Sequence, residues 1–515
     1  MTKTIDKIFL IVPHSILAVV FFLVHDVNEN FGLIPFSLFM KYLGLYLGLC
    51  IILLGVSFSL FREKLKAFIY ATMILCMFFS FGAGHDKLKS IPLPGWISSY
   101  SVILSATVLF FLVTAFFLKR SKRNLLRFNQ YLQVFFSLVT CMELISFCYY
   151  SISHHELNNE FGDSSKKLST QYQPCDTCSK PDIYFIVFDA YSSSRCLKRN
   201  FGFDNSPVDS FLEKEGFFVS RESKSNYALT PLSIASTFNL NYLRPDLKGK
   251  TADGKLTVQA LTTVSASELP VILKKEGYDI RNYSVFNLKN YPVYNAERLA
   301  HFRDDIIPLQ TFAGRINRDI GWKIAEFIPF WTTASADAQF EFDRKMRIEN
   351  YITGNLEKLE ATIKEKNGGP KFVYTHLILP HDPYYFDEKG NYNPHLLIDR
   401  LRPELYIHQL IYTNSVMKRI VHELMADTSR KKIIIIEGDH GYREYPHRSQ
   451  MPEIFCNLNA YYFPDKDYHP LYDSISPVNS FRVILNKYFH KNLSLLPDRC
   501  IYVRAPHLLF EQTKH

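Results

Sequence analysis

Five apolar segments in the first 150 residues constrain the fold of this chain more than any other feature. They lie at about 8–24, 41–61, 67–83, 100–118 and 130–150. A helix needs about 20 consecutive apolar residues to cross the hydrocarbon core of a bilayer, and each segment comes near that length. We therefore expect five transmembrane helices over residues 1–150. No small-residue cleavage site follows Val24, so we expect the first helix to be retained and not removed as a signal peptide.

The joints between these segments indicate how the chain is oriented in the membrane. Lys and Arg concentrate in the joints at 62–66 and 119–127, whereas the joint that holds Asp26 and Glu29 is acidic. Because basic joints stay on the cytoplasmic side, we expect a multi-pass protein of the cytoplasmic membrane with its N-terminus inside. After five spans, the C-terminal part lies outside the cytoplasm, in a periplasm or its equivalent.

Charged residues near and within the apolar segments lead to two further expectations. The net charge of +9 is modest, and the basic clusters flank apolar segments. Membrane orientation explains such clusters, so we expect no nucleic-acid partner. His14 and Glu143 lie inside apolar segments, where an ionisable group has either a functional role or an interhelical hydrogen bond.

The nine cysteines fall into two groups. Four of them lie in the apolar segments, where a thiol is a small apolar group, and five lie in the C-terminal part, where oxidation is permitted. Cys175 and Cys178 have the spacing of half a zinc site, but no second pair with the usual spacing follows. We expect a local disulfide or free thiols there.

The C-terminal part has the pattern of an α/β domain. Residues 151–180 are polar without an apolar period, which is typical of a linker. Three nearly continuous apolar runs then predict buried parallel strands, at 182–189, 371–379 and 432–439. Helical patterns accompany them near 207–215, 266–276, 345–366, 403–426 and 478–490. This alternation predicts a doubly wound α/β domain over residues 181–515.

Polar residues follow the ends of the three predicted strands. Asp189 ends the first, the second leads into His376 and His381, and the third ends in Asp439 and His440. Ligands bind beyond the carboxyl ends of the strands in such a sheet. Asp189, Asp439 and His440 provide carboxylate oxygens and an imidazole nitrogen, a set suited to zinc or manganese. We expect one metal site and leave a second one open.

Thr230 is the candidate for a fourth ligand. It follows loop-type residues and precedes a helix-like pattern that includes Ser233 and Phe238. A hydroxyl at a helix start meets the positive end of the helix dipole, and coordination to a metal would make it a nucleophile at neutral pH. The alternative is that Thr230 and Ser233 are only a helix cap and a turn hydroxyl.

Taken together, these motifs make the chain similar to the alkaline phosphatase superfamily. The resemblance is to its sulfatase-like branch, which includes phosphoethanolamine transferases and lipoteichoic acid synthases with five membrane spans and an outer α/β domain. The transferases have the pattern T-x-x-S-[aliphatic]-[small]-[small]-x-F, and residues 230–238 match it at each position. Two histidines five residues apart and a later Asp-His-Gly match His376, His381 and residues 439–441.

The resemblance implies roles for these residues. Asp189, Thr230, Asp439 and His440 would hold the metal, Thr230 being the nucleophile. His376 and His381 would lie near the substrate, and His381 would donate a proton to the leaving oxygen or hold the phosphate. We further expect three basic residues either to hold phosphate oxygens or to lie in a solvated loop. They are Arg443, His447 and Arg448.

Three departures from the family pattern leave the donor and acceptor groups open. Asp189 stands where the membrane-bound transferases usually have Glu, and Ser236 stands where a disulfide-bonded Cys is common. The residues after His440 also differ. Sulfatases of the oxidised type need a Cys or Ser that becomes formylglycine. Thr230 has a methyl group on its β carbon and cannot form that aldehyde, which favours phosphoryl chemistry.

The sequence thus predicts a membrane-anchored, metal-dependent phosphotransferase or hydrolase. It would act on phosphate-linked headgroups of the phosphoethanolamine or phosphoglycerol type, taking a phospholipid donor and modifying a lipid or glycan outside the cytoplasmic membrane. One alternative is a sulfuric ester hydrolase. The other is a noncatalytic platform that binds a glycan or a partner protein, for which loss of the metal ligands would be the mark.

Overall fold

The structure is a computed structural model, and it describes most of the chain. The described residues are 13–30, 34, 36–91, 94–157, 168–243, 247–252, 254–294, 306–316, 320, 333–366, 368–392 and 402–505. They form two compact units. We call residues 1–155 with 299–343 the membrane unit, and residues 156–298 with 344–515 the α/β unit.

Five long helices form the N-terminal part of the membrane unit. They are α1 (His14–Glu29), α2 (Phe36–Phe61), α3 (Lys64–Ser90), α4 (Tyr100–Arg120) and α5 (Leu126–Leu157), with a 3-10 turn at Gly95–Ser98 before α4. By length and composition, α2 to α5 can each cross a membrane. The first predicted segment begins at about residue 8, and its residues 8–12 lie outside the described residues. The expected set of five apolar helices is confirmed.

The exposed faces of these helices are apolar. Leu109 and Phe117 of α4 are 61% and 65% exposed, and α4 has no buried residue in the described structure. A continuous apolar face of this kind is unfavourable in water and favourable in lipid. The surface of these helices therefore supports a location within the bilayer.

Hydrogen bonds between helices account for the ionisable groups inside the apolar segments. His14 lies next to Thr72 and Asn129, with its ring nitrogens 2.7 and 3.0 Å from the side-chain oxygens of these residues. Glu143 accepts a hydrogen bond from Asn28. Of the two interpretations for His14 and Glu143, interhelical hydrogen bonding is the one that the contacts favour.

The α/β unit contains one six-stranded sheet. Its strands are β1 (Asp182–Phe188), β2 (Phe218–Val219), β3 (Asp279–Tyr283), β4 (Lys371–Leu377), β5 (Lys432–Glu437) and β6 (Asn459–Tyr462). Their order across the sheet is β2-β6-β5-β1-β4-β3. β1, β3, β4 and β5 are parallel, whereas β6 pairs antiparallel with β5 and with β2. The predicted α/β class is confirmed, and the sheet is mixed at one edge.

The three predicted strands are the central ones, and every residue in them is buried. Side chains of β1 alternate between two cores, with Ile186 in one and Phe185 in the other. A strand covered by packing on both faces needs apolar residues at every position. This explains why the three runs lack the alternation of a half-exposed strand.

Helices cover both faces of the sheet. In chain order they are α6 (Leu168–Gln171), α7 (Ser194–Phe201), α8 (Ser206–Lys214), α9 (Thr230–Phe238), α10 (Gly254–Ser265), α11 (Glu268–Lys275), α12 (Thr333–Lys364), α13 (Pro403–Ala426) and α14 (Pro477–Phe489). A 3-10 helix lies at Arg448–Phe455. Residues 256–275 are apolar enough to cross a membrane. They are divided between α10 and α11, and Leu269 and Ile272 are fully buried in a core of the α/β unit.

The second half of the predicted linker packs on the α/β unit. The Tyr172 hydroxyl donates to Glu276 Oε1 at 2.7 Å, and Lys180 pairs with the same carboxylate. Cys175 and Cys178 form a disulfide, the first of the two expected alternatives. Residues 158–167 of the linker lie outside the described residues.

Candidate active site and metal centre

Asp189 lies directly after β1, at the centre of the sheet. Its backbone N–H donates to the Leu377 carbonyl of β4 at 3.0 Å. The next residue, Ala190, has a φ of 62°, a conformation that costs free energy for a residue with a Cβ and is common at functional sites. The Tyr406 hydroxyl donates to the Ala190 carbonyl at 2.9 Å. The loop after β1 is thus held in place by its neighbours.

Asp439 and His440 follow the neighbouring strand, β5. Asp439 Oδ1 accepts a hydrogen bond from the Ala190 N–H at 3.0 Å, which ties the two strand ends together. His440 Nδ1 donates to the Gly441 carbonyl at 2.7 Å. Its Nε2 then has a free lone pair and lies 3.5 Å from both Asp189 Oδ1 and Asp439 Oδ2.

Thr230 reaches the same point from the start of α9. Its Oγ1 lies 3.3 Å from His440 Nε2. Three residues later, the Ser233 hydroxyl donates to the Asp439 main-chain carbonyl at 2.7 Å. This hydrogen bond joins the start of α9 to the residues that follow β5. The structure therefore brings together Asp189, Thr230, Asp439 and His440, the four residues predicted as metal ligands.

His376 and His381 also lie next to Asp189. His376 Nε2 is 3.7 Å from Asp189 Oδ2, and His381 Nε2 is 4.0 Å from Asp189 Oδ1. His376 Nδ1 pairs with the Tyr374 hydroxyl at 2.9 Å, which orients its ring. Orientation by such a partner is typical of histidines that bind metals. Both histidines are therefore close enough to Asp189 to bind the same metal ion.

The residues form two groups of three that share Asp189. One group contains His381 and His440, the other contains His376 and Asp439, and the ligand atoms within each group lie within 4.8 Å of one another. In the described structure, three atoms at the centre are buried without a hydrogen-bond partner: Asp189 Oδ1, Asp439 Oδ2 and His376 Nε2. Unpaired buried groups are costly, and a divalent cation would satisfy all three. The residues present therefore fit a metal.

Electrostatics favours the ligand form of Asp189 and of His440, but not that of Asp439. Burial raises the pKa of Asp189, but the neighbouring His381 and His376 outweigh it and hold the pKa well below its usual range. Burial and the charge of Asp189 raise the pKa of Asp439 to about 6. Burial and the nearby Arg443 depress the pKa of His440. An ionised Asp189 and a neutral His440 are the states that bind a metal.

Arg443 is the one predicted phosphate-binding residue that contacts the centre in the described structure. Its Nη2 donates to His381 Nε2 at 2.6 Å, and its Nη1 donates to the Ala228 carbonyl at 3.1 Å. His447 and Arg448 are exposed at the start of the 3-10 helix. Within the described part of the chain, no hydrogen bond joins either of them to the centre, and their role stays a prediction.

His381 is oriented as an acceptor at Nε2. Its Nδ1 lies 2.5 Å from the Asp382 carbonyl, an acceptor, so Nδ1 holds the proton. In this structure the single lone pair of Nε2 accepts from Arg443, so it would reach a metal only if the Arg443 guanidinium turned to another acceptor, such as a phosphate. This tautomer suits a metal ligand or a phosphate-orienting group better than a proton donor to the leaving oxygen.

A small pocket adjoins the centre and was not predicted from the sequence. Eight residues line it: Ala190, His381, Asp382, Tyr384, Tyr406, Tyr442, Arg443 and Glu444. Two of them are carboxylates and three are tyrosines. The sequence could have indicated these two carboxylates only by their positions, since Asp382 directly follows His381 and Glu444 directly follows Arg443.

Comparisons with known proteins agree with this architecture. The sulfatase family model matches residues 199–482, more than half of the chain. The chain therefore belongs to the sulfatase family, as its resemblance to the sulfatase-like branch predicts. A search of curated protein sequences gives no significant match.

Solved structures similar to this chain include transferases and glycosaminoglycan-related proteins. The integral membrane phosphoethanolamine transferase EptA of Neisseria meningitidis is 11% identical, with a TM-score of 0.39 over 91% of this chain and 95% of that one. The periplasmic domain of EptC from Escherichia coli is 11% identical, with a TM-score of 0.36 over 61% and 84%. The Bacteroides thetaiotaomicron protein BT33494S-sulf, described in the metabolism of glycosaminoglycans, is 12% identical, with a TM-score of 0.35 over 60% and 72%.

Proposed function

We propose that this chain is a membrane-anchored, metal-dependent enzyme that transfers a phosphate-linked headgroup through Thr230. The observation that supports it most is the position of the Thr230 hydroxyl, 3.3 Å from His440 Nε2 at a centre with buried, unpaired carboxylate oxygens. A helix cap needs no such neighbours. A nucleophile does, because its proton must be lost and its negative charge stabilised.

The reaction has two steps in this proposal. In the first, Thr230 Oγ1 forms a bond to phosphorus while the bond from phosphorus to the departing lipid alcohol breaks, and that alcohol takes up a proton. In the second, an acceptor alcohol or water attacks the phosphothreonine and releases Thr230. A divalent metal, bound by Asp189, Asp439 and His440, would supply positive charge that favours the alkoxide of Thr230.

The residues around Thr230 orient the phosphate. Arg443 approaches the centre from the His381 side, and its Nη2 reaches His381 Nε2. A guanidinium forms two parallel hydrogen bonds with phosphate oxygens. We propose that Arg443 turns from His381 to hold the phosphate, and that His381 Nε2 then joins His376 in binding the metal.

The adjoining pocket holds about 10 Å³, room for one water-sized group, and would take only the ammonium end of a headgroup. Its lining combines the carboxylates of Asp382 and Glu444 with the rings of Tyr384 and Tyr442. Carboxylates and aromatic faces both attract an ammonium group, whereas a glycerol headgroup has no positive charge to meet them. Of the two headgroup types considered, we therefore propose phosphoethanolamine, with a lipid or glycan as the acceptor.

The site is proposed to face the outside of the cytoplasmic membrane. The basic joints at 62–66 and 119–127 support an inside N-terminus. The disulfide between Cys175 and Cys178 fits an oxidising compartment. In this orientation the enzyme would meet the headgroups of the outer leaflet.

The two rival functions are weaker on specific grounds. Hydrolysis of sulfate esters is the activity that the family name denotes, but Thr230 cannot form the aldehyde that oxidised sulfatases use. A noncatalytic platform has no need of metal ligands, and here all four predicted ligands are present and meet at one point. A sulfate-ester assay with the purified chain would reveal the first rival directly.

Variants of Thr230 test the proposed function. The purified full chain would be incubated in detergent with labelled phosphatidylethanolamine or phosphatidylglycerol and Mn²⁺ or Zn²⁺. Thr230→Val keeps the shape without the hydroxyl and should lose turnover, whereas Thr230→Ser keeps the oxygen and should retain part of it. Full turnover by Thr230→Val, with its fold and metal intact, would refute Thr230 as the nucleophile.

The pocket makes a separate prediction about the donor. Glu444→Gln removes one negative charge and should lower turnover of phosphatidylethanolamine by about 10–100-fold, since a hydrogen bond to a charged group contributes roughly 1.5–3 kcal/mol. Turnover of phosphatidylglycerol should change little. Equal losses for both donors would contradict the assignment of an ammonium group to this pocket.

A further inference from the structure

A second cluster of reactive side chains lies in the α/β unit, apart from the metal centre. Cys196 of α7, Glu453 of the 3-10 helix and Cys456 just after it each place one sulfur or oxygen atom within 4.8 Å of the others. The two cysteines are 2% and 5% exposed. We propose that Cys196 and Cys456 form a reversible disulfide that braces the loops of the active site.

The surroundings favour thiol chemistry over a bound metal. Arg199 pairs with Glu453, and its Nη2 also lies 3.3 Å from Cys196 Sγ. A guanidinium at this position repels a second cation and stabilises a thiolate. Cys196 Sγ donates to Glu453 Oε2 at 3.2 Å, so a proton acceptor is also present.

The two thiols have different tasks in forming the bond. The hydrogen bond with Cys196 lowers the pKa of Cys456 below its usual value although burial opposes this, and the same contact raises the pKa of Cys196. The more acidic thiol is the attacking one. Cys456 therefore provides the first thiolate, and Cys196 attacks second.

The exchange balances with an external disulfide, such as oxidised glutathione, as the oxidant. Cys456 Sγ bonds to one sulfur of that disulfide, whose S–S bond breaks and releases one thiol. Cys196 Sγ then bonds to Cys456 Sγ, the mixed disulfide breaks, and the second thiol leaves with the proton that Cys196 gives up. Two protons and two electrons pass from the cysteine pair to the oxidant.

The bond would act on the active site through the backbone next to Cys456. The Cys456 carbonyl accepts from the Ser193 N–H at 3.3 Å, in the loop after β1, and the Phe455 carbonyl accepts from the Ser225 N–H at 2.7 Å, in the loop before Thr230. The Ile454 carbonyl accepts from the Gly441 N–H at 2.8 Å. This segment, 454–456, therefore contacts all three loops that bear the predicted ligands, and the disulfide would fix it to α7.

The inference depends on the proposed placement of the α/β unit outside the cytoplasm, where dithiols become oxidised. It does not depend on the reaction, because the state of the thiols is measured without a substrate. The two proposals can therefore fail separately.

The test uses the full chain with Cys175→Ser and Cys178→Ser, so that the local disulfide makes no contribution to the redox response. Free thiols are alkylated after equilibration with oxidised or reduced glutathione, and peptides are identified by mass spectrometry. We expect a peptide that joins Cys196 to Cys456 in the oxidised sample. We also expect the melting temperature to fall by about 5 °C on reduction.

Matched variants complete the design. Cys196→Ser and Cys456→Ser should each abolish the joined peptide and the redox-dependent shift in melting temperature. Cys500→Ser removes an exposed free thiol of the same unit and should preserve both. Full alkylation of both Cys196 and Cys456 in the oxidised sample of the chain that retains these two cysteines would overturn the inference. So would release of a stoichiometric metal ion on alkylation, since the pair would then be metal ligands.

Discussion

Asp189 is the residue that the two groups of candidate metal ligands share. Its two carboxylate oxygens face different partners, with Oδ1 toward His440 and His381 and Oδ2 toward His376. A carboxylate shared in this way links both groups of candidate ligands. The histidines, by contrast, each belong to one group. Replacing Asp189 should therefore lower the metal affinity more than replacing any one histidine.

Metal analysis of purified variants tests this ranking. Asp189→Ala should remove nearly all bound divalent metal and all activity, because both groups of candidate ligands lose a carboxylate oxygen. His381→Gln should weaken binding by about 10–100-fold and leave residual metal. The stoichiometry would be measured by elemental mass spectrometry after dialysis against limiting Zn²⁺ or Mn²⁺.

His447→Ala serves as the control for that series, since this side chain is exposed. It should retain the metal content of the wild-type chain. A His381→Gln chain as empty as Asp189→Ala would show that Asp189 is not the shared ligand.

The turn between β5 and the candidate ligand Asp439 is tightly packed against the loop after β1. A Cβ on Gly438 would lie 2.3 Å from the Tyr191 carbonyl oxygen, in the loop after β1. The two strand ends thus approach so closely that only glycine fits between them. Contact between neighbouring loops, and not the sheet alone, sets the separation of Asp189 and Asp439.

Gly438→Ala should therefore destabilise the chain by about 1–3 kcal/mol, as overpacking of a rigid interior does. It should also reduce metal affinity, because the loop after β1 must move. Thermal unfolding in detergent and metal titration would measure the two effects. Gly369→Ala is the matched control, since a Cβ there meets no atom within 4 Å. Equal behaviour of the two variants would show that the close approach is unimportant.

The strands that sequence patterns predict are those with uniform burial. β1, β4 and β5 are apolar throughout, because both of their faces are covered. β3 and β6 escaped prediction, since Asp279, Arg281 and Asn459 interrupt their apolar character. Their place in the sheet comes from pairing with β4 and β5. Such pairing is a tertiary effect that a local pattern does not contain.

The site was predictable where a motif ended a strand or began a helix. Asp189, Asp439 and His440 follow buried strands, and Thr230 begins α9, so all four were expected at one edge of the sheet. The pocket residues Asp382 and Glu444 have no such position. Only the folded loops bring them together, which is why the candidate ammonium site emerged from the structure.

The whole chain combines the apolar helices of the membrane unit with an α/β unit that contains the candidate active site. α2 to α5 each have the length and composition of a membrane span, and α4 exposes an apolar surface to its surroundings. Their basic ends lie near Arg62 and Lys119. These charges predict the direction of insertion, which would decide the leaflet that supplies a lipid donor.

Reporter fusions test the direction of insertion. A reporter that is active only in the cytoplasm should work when inserted at Lys122 and fail when fused after His515. A reporter that needs an oxidising compartment should give the opposite result. Cytoplasmic activity at both positions would contradict five spans with the α/β unit outside.

The most direct test of the account is to find the covalent intermediate. The wild-type chain would be incubated with metal and phosphatidylethanolamine in the absence of an acceptor, quenched in acid, and examined by intact mass and peptide mapping. We expect the peptide that contains Thr230 to gain the mass of a phosphoethanolamine group. The corresponding peptide of Thr230→Val should show no such gain. An active chain that forms no adduct, or forms it on Ser233, would contradict the proposed nucleophile.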